Sequence, residues 1–162
     1  MTNFDDLLTL DFSLTVPSSS DRIYKKIIDF ENFSTYLPLQ LQNIKILHLN
    51  EYEGNILENN QIITEETIIS KSFLKMEFTQ KSLHTLKQNE LETKIIEGPA
   101  KGTQINIILE TKDRETLILI KIDLKLKTKF IFLTPIIKRM YKKTFTSILY
   151  RINTEIQNEI EH

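Results

Sequence analysis

Between Ile137 and Ile156 the apolar residues Ile137, Met140, Tyr141, Phe145, Ile148, Ile152 and Ile156 recur at spacings of three and four, the period of one face of an α-helix. Thr134-Pro135 marks the start, an N-capping residue followed by proline at the first helical position. The pattern predicts a helix of more than twenty residues that closes the sequence. A helix with so long an apolar stripe must bury it against another element. The rest of the chain therefore has to supply a broad apolar face.

Strands are the evident source of that face. Leu8, Leu10, Phe12, Leu14 and Val16 alternate with polar residues up to Pro17, as a half-buried strand requires because successive side chains point to opposite sides. Ser18-Ser19-Ser20-Asp21 then offers N-cap residues, and Ile23, Ile27, Ile28 and Phe30 follow at helical spacing, so two short helices are expected before Pro38. From about Asn43 to Lys127 the sequence reads as roughly six further strands in hairpins and meanders. Gly54, Gly98 and Gly102 mark turns among them. The clearest strand sets Ile118, Ile120, Ile122, Leu124 and Leu126 against Lys121, Asp123, Lys125 and Lys127.

Residues 1–162 thus read as a single α+β domain: a seven-stranded, curved antiparallel sheet around a long C-terminal helix, with two short helices after the first strand. One helix cannot fill a strongly curved sheet of that width, and the space left between them would suit an apolar ligand.

Three segments carry a resemblance to a known superfamily. They are the strand ending at Val16-Pro17 with the following stretch Ser18 to Pro38, the hairpin Ile96-Glu97-Gly98-Pro99-Ala100-Lys101-Gly102-Thr103, and the last strand feeding Leu133-Thr134-Pro135-Ile136-Ile137-Lys138-Arg139. In these the chain resembles the START-like, or SRPBCC, superfamily with its helix-grip fold, which includes the polyketide cyclase/dehydrase group, plant pathogenesis-related allergens and coenzyme Q-binding proteins. The resemblance implies an internal cavity for a lipid, quinone, sterol or polyketide-like molecule. It implies no shared catalytic motif, so activity has to be argued from the cavity.

Composition removes several classes of chemistry. The absence of cysteine excludes disulfides, thiolate metal sites and a cysteine nucleophile. Three glycines cannot build a phosphate-binding loop or a dinucleotide fingerprint. His48, His84 and His162 have no metal-ligand spacing, and no serine sits in a nucleophile elbow. No cofactor and no metal are expected. A net charge of −1 with 27% charged residues fits an ordinary soluble protein, and neither a signal peptide nor a membrane span is read, so a cytoplasmic location is expected.

Strand parity and the helical stripe nominate the ligand-facing residues Phe12, His48, Met76, Phe78, Ile107, Ile120, Met140, Tyr141 and Phe145. His48 shares parity with Ile44 and Ile46 and is a candidate proton donor or ligand anchor. Glu65 and Glu66 are adjacent on a strand, hence on opposite faces, and read as solvated charge. No catalytic residue is assigned.

No acidic residue occurs between Asp123 and Glu155, while Lys125, Lys127, Lys129, Lys138, Arg139, Lys142, Lys143 and Arg151 fall there. Lys138, Arg139, Lys142 and Lys143 crowd the early turns of the helix, where its dipole favours acids. With the apolar Phe130-Ile131-Phe132-Leu133 beside them, they are candidates for peripheral contact with an anionic membrane or with ribosomal RNA; DNA is not expected as a partner. The leading functional expectation is non-catalytic binding or transport of a hydrophobic small molecule. The alternatives are a cyclase/dehydrase-type enzyme, with His48 and Tyr141 as first candidates, and a ribosome-associated interaction module.

Overall fold

The computed structural model describes residues 8–37, 41–70 and 76–162, and of Leu41, Ser70 and Met76 it describes the backbone. Strand β1 (Thr9–Val16) leads into helix α1 (Ser20–Ile27) and a 3-10 turn (Phe33–Tyr36). Then come β2 (Leu41–Leu47), a small hairpin of β3 (Glu51–Tyr52) and β4 (Asn55–Ile56), and the meander β5 (Gln61–Ser70), β6 (Met76–Lys87), β7 (Glu90–Glu97), β8 (Gln104–Lys112) and β9 (Glu115–Asp123). A second 3-10 turn (Thr128–Leu133) passes into the 28-residue helix α2 (Thr134–Glu161).

All pairings in the main sheet are antiparallel, and its order is β1-β9-β8-β7-β6-β5-β2. The first strand therefore pairs with the last, Phe12 opposite Ile120 and Leu14 opposite Ile118, while β2 closes the other edge against β5. Seven strands, two short helical segments and one long helix agree with the architecture read from the sequence.

The inner face runs across Leu10, Phe12 and Leu14, then Ile118, Ile120 and Ile122, then Ile105, Ile107 and Leu109, and on through Leu91 to β6, β5 and β2. Helix α2 lays Ile148, Leu149, Ile152 and Ile156 into this cluster, the last two with no exposed surface. Helix α1 adds Ile23 and Ile27, each about 1% exposed.

Two local details differ from the sequence reading. The serines after Pro17 do not cap α1 through their side chains. Ser18 donates to Asn153 Oδ1 at 2.6 Å and receives Gln157 Nε2 at 3.0 Å, and Ser20 Oγ lies 2.9 Å from Thr111 Oγ1, so these hydroxyls tie the strand-to-helix corner to α2 and β8. Thr134 is the first helical residue, with Leu133 at the cap position; its hydroxyl donates back to the Ile131 carbonyl at 2.5 Å. All three glycines have positive φ and sit at turns, as expected; Gly98 also lets the turn approach β6, since a Cβ there would lie 3.4 Å from Gln80.

Candidate functional site

Most of the inner face is aliphatic, but its centre on β5, β6 and β7 is polar. The pairings Ile62 with His84, Thr64 with Ser82, and His84 with Thr93 place these side chains on one side of the sheet, with Glu66 two residues beyond Thr64 on the same face. Thr64, Glu66, Ser82 and His84 are all buried.

They form one network. Thr64 Oγ1 donates to Glu66 Oε1 at 2.7 Å, and Ser82 Oγ donates to Glu66 Oε2 at 3.2 Å. His84 Nε2 lies 2.8 Å from Thr64 Oγ1, and Nδ1 lies 2.8 Å from Thr93 Oγ1. The only proton of the Thr64 hydroxyl points at Glu66, so the imidazole donates to Thr64 from Nε2. Phe30 stacks on the ring, centroid to centroid 4.2 Å, and seals it from the α1 side. A continuous chain of hydrogen bonds thereby joins Thr93, His84, Thr64 and the Glu66 carboxylate.

Along the inward stripe of α2, burial changes from one half of the helix to the other. The helix is buried to completion at Ile148, Leu149, Ile152 and Ile156, but Ile137, Tyr141 and Phe145, on the same stripe, are half-buried. Sheet residues Leu10, Phe12, Ile44, Ile46, Ile62 and Ile68 are also half-buried although they face inward. The Tyr141 and Phe145 rings stack at 6.3 Å.

Tyr141 is enclosed by protein, and burial first, then the negative charge of Glu66, pushes its phenol up to about 12. It nevertheless keeps accessible surface. Its hydroxyl donates no hydrogen bond among the described residues, where no fully buried side-chain nitrogen or oxygen lacks a partner. The charge of Glu66 is thus felt at the Tyr141 phenol.

Of the residues nominated from the sequence, Phe12, Phe78, Tyr141 and Phe145 come to this region half-buried, and Ile107 and Ile120 are close-packed core, at 5% and 2% exposure. Two nominations are corrected. His48 falls past the end of β2 and is exposed, because the strand stops at Leu47 before parity can turn the ring inward. Met140 is 38% exposed, since it lies to the side of the stripe that runs from Ile137 through Tyr141 to Phe145. The Met76 side chain lies outside the described residues.

Glu66 and His84, which sequence reasoning left as solvated charge and an unassigned histidine, are the polar centre. The available signal was the alternation Ile62, Thr64, Glu66, Ile68, which gives Glu66 the parity of apolar neighbours.

An open groove along the outer side of α2, lined by Thr35, Tyr36, Tyr150, Arg151 and Glu155 among others, has its charges engaged with one another. Lys26 bridges Glu155 and Glu159 at 2.8 and 2.6 Å, Tyr36 donates to Glu155 at 2.6 Å, and Arg151 donates to the Tyr36 carbonyl at 2.8 Å. These bonds fasten α1 and the first 3-10 turn to α2. Among the described residues no cluster of three or more His, Asp or Glu side chains is placed to hold a metal ion.

No family model and no curated protein matches the sequence. Solved structures do match its shape. A protein from Thermus thermophilus superposes with a TM-score of 0.74 at 10% identity, covering 93% of this chain and 98% of that one. The Zhui aromatase/cyclase from a Streptomyces species gives 0.73 at 11% identity, covering 94% of each chain. A START superfamily protein from Mycobacterium smegmatis gives 0.69 at 12%, covering 93% and 97%. The chain thus has the START-like helix-grip fold.

Proposed function

We propose that this protein binds a hydrophobic small molecule between the N-terminal half of α2 and the inner face of the sheet. The observation that carries the reading is the change in burial along one stripe of one helix. Ile148 to Ile156 are packed out, whereas Ile137, Tyr141 and Phe145 and the sheet residues Phe12, Ile44, Ile46 and Ile68 keep accessible surface while facing inward. Apolar side chains in that state lose the close packing that interiors ordinarily reach, and an apolar guest restores it. Tyr141 and Glu66 select a ligand with one polar group at the end of an apolar body, a hydroxyl or carbonyl being the simplest fit. The fold is shared with a START superfamily protein.

A second reading has one observation in its favour. A buried carboxylate hydrogen-bonded to Thr64, with His84 behind it and its charge felt at the Tyr141 phenol, is a set of groups that can take and return protons on a bound chain. The fold is shared with an aromatase/cyclase. In that reading Tyr141 and Glu66 act on the ligand, with Thr64 and His84 positioning Glu66.

Native mass spectrometry of the purified protein, followed by denaturing extraction, tests the proposal. Binding predicts one apolar molecule per chain, released intact on unfolding. A protein that is empty as isolated and takes up no lipid, quinone or polyketide-like compound from a panel contradicts it.

A further inference from the structure

The entry to α2 carries an apolar patch that the ligand reading does not use. Phe132 is 74% exposed, Ile136 41% and Met140 38%. Their spacing of four aligns Ile136 and Met140 on one helix face and sets Phe132 one step before them, on the 3-10 turn. Three large apolar side chains with exposed surface, two of them on one helix face, mark an interaction surface.

What surrounds them identifies the partner. Arg139 and Lys143 follow Ile136 and Met140 by three residues, and Lys129 precedes Phe132 by three; all three cations are exposed. None of them forms an ion pair among the described residues, and no acidic residue occurs between Asp123 and Glu155. The helix gains nothing from cations in its first turns, where its own dipole is positive. Among the described residues no helix is long and apolar enough to cross a membrane, so the patch is suited to lying on a surface.

We infer that Phe132, Ile136 and Met140 insert into the interfacial layer of an anionic phospholipid bilayer while Lys129, Arg139 and Lys143 contact its headgroups. Aliphatic Ile136 and Met140 favour lipid over nucleic acid, whose single strands are held chiefly by aromatic stacking. The patch lies at the same end of α2 as Tyr141, so docking presents the ligand region to the membrane. The surface itself stands apart from the ligand reading.

Co-flotation with vesicles tests it. The protein should float with phosphatidylcholine vesicles containing about 30 mol % phosphatidylserine, should not float with phosphatidylcholine alone, and should be released as salt rises from about 0.1 to 0.5 M. Each cation contributes roughly fivefold in affinity, so the triple variant Lys129→Glu, Arg139→Glu, Lys143→Glu should lose binding by at least about a hundredfold. Phe132→Ser with Ile136→Ser should lose it by about tenfold or more, and both variants should keep the circular dichroism spectrum and thermal midpoint of the parent because every changed side chain is exposed. Equal flotation with neutral vesicles, undiminished flotation of either variant, or retention on single-stranded RNA with none on vesicles overturns the inference. A protein that floats yet carries no small molecule leaves docking intact and removes only the ligand proposal.

Discussion

Tyr141 and His84 are both ring residues with polar atoms inside the protein, and their circumstances are opposite. His84 is satisfied on both nitrogens and stacked by Phe30, whereas the Tyr141 hydroxyl has no hydrogen-bond partner among the described residues. Removing the ring in His84→Ala leaves Thr64 and Thr93 without their ring partner and opens a cavity, which should cost about 2–4 kcal/mol. Tyr141→Phe removes no protein hydrogen bond and should change stability by less than about 0.5 kcal/mol at neutral pH. Urea denaturation of the two variants checks the contrast; a large loss in Tyr141→Phe would show that the hydroxyl is tied to protein after all. Because the folded-state phenol is raised, the Tyr141 contribution to stability is unaffected below its unfolded value near pH 10. That contribution falls as pH rises towards about 12, because this phenol ionises first in the unfolded chain. Tyr141→Phe should lose less stability over that window.

At the scale of elements, α2 is two helices in one. Its C-terminal half is a packing element, with Ile152 fully buried and Asn153, Glu155 and Gln157 bonded to Ser18, Lys26 and Tyr36. Its N-terminal half has an inward face that is only half covered and an outward face that exposes Ile136 and Met140, next to Phe132 on the preceding turn. Ile152→Ala should therefore cost about 3 kcal/mol, and Phe145→Ala, although it deletes more atoms, only about 1–2 kcal/mol. Comparable thermal-midpoint losses in the two variants, after conversion to free energy, would mean that the helix is packed uniformly.

Periodicity made these elements legible. The helix start near Thr134, the alternation of β1 and β9 and the glycine turns follow from spacing alone, and the pairing of Phe12 with Ile120 matches their shared parity. The same reasoning lost His48 because parity does not say where a strand ends. It misread Glu66 because a glutamate is usually solvated, and only the partners brought from β6 make its burial tolerable.

The molecule as a whole sets a carboxylate into an aliphatic sheet and leaves the inward side chains at one end of its covering helix half-buried. That arrangement is weak as a way of stabilising a domain, because a buried charge and incompletely buried apolar surface both forgo stability. Under the proposed function it serves a guest that is apolar except at one point. The sheet order and the long helix were readable from sequence, whereas this uneven filling was not: it depends on how far apart two correctly identified faces come to lie.

The most direct test is titration with a neutral, polarity-sensitive apolar dye, comparing the parent with Phe145→Trp, which adds bulk at the half-covered wall. The account predicts saturable binding at one dye per chain with blue-shifted emission, and a loss of about tenfold or more in affinity for Phe145→Trp at unchanged secondary structure. Non-saturable binding, or saturable binding that Phe145→Trp leaves unaltered, would contradict it.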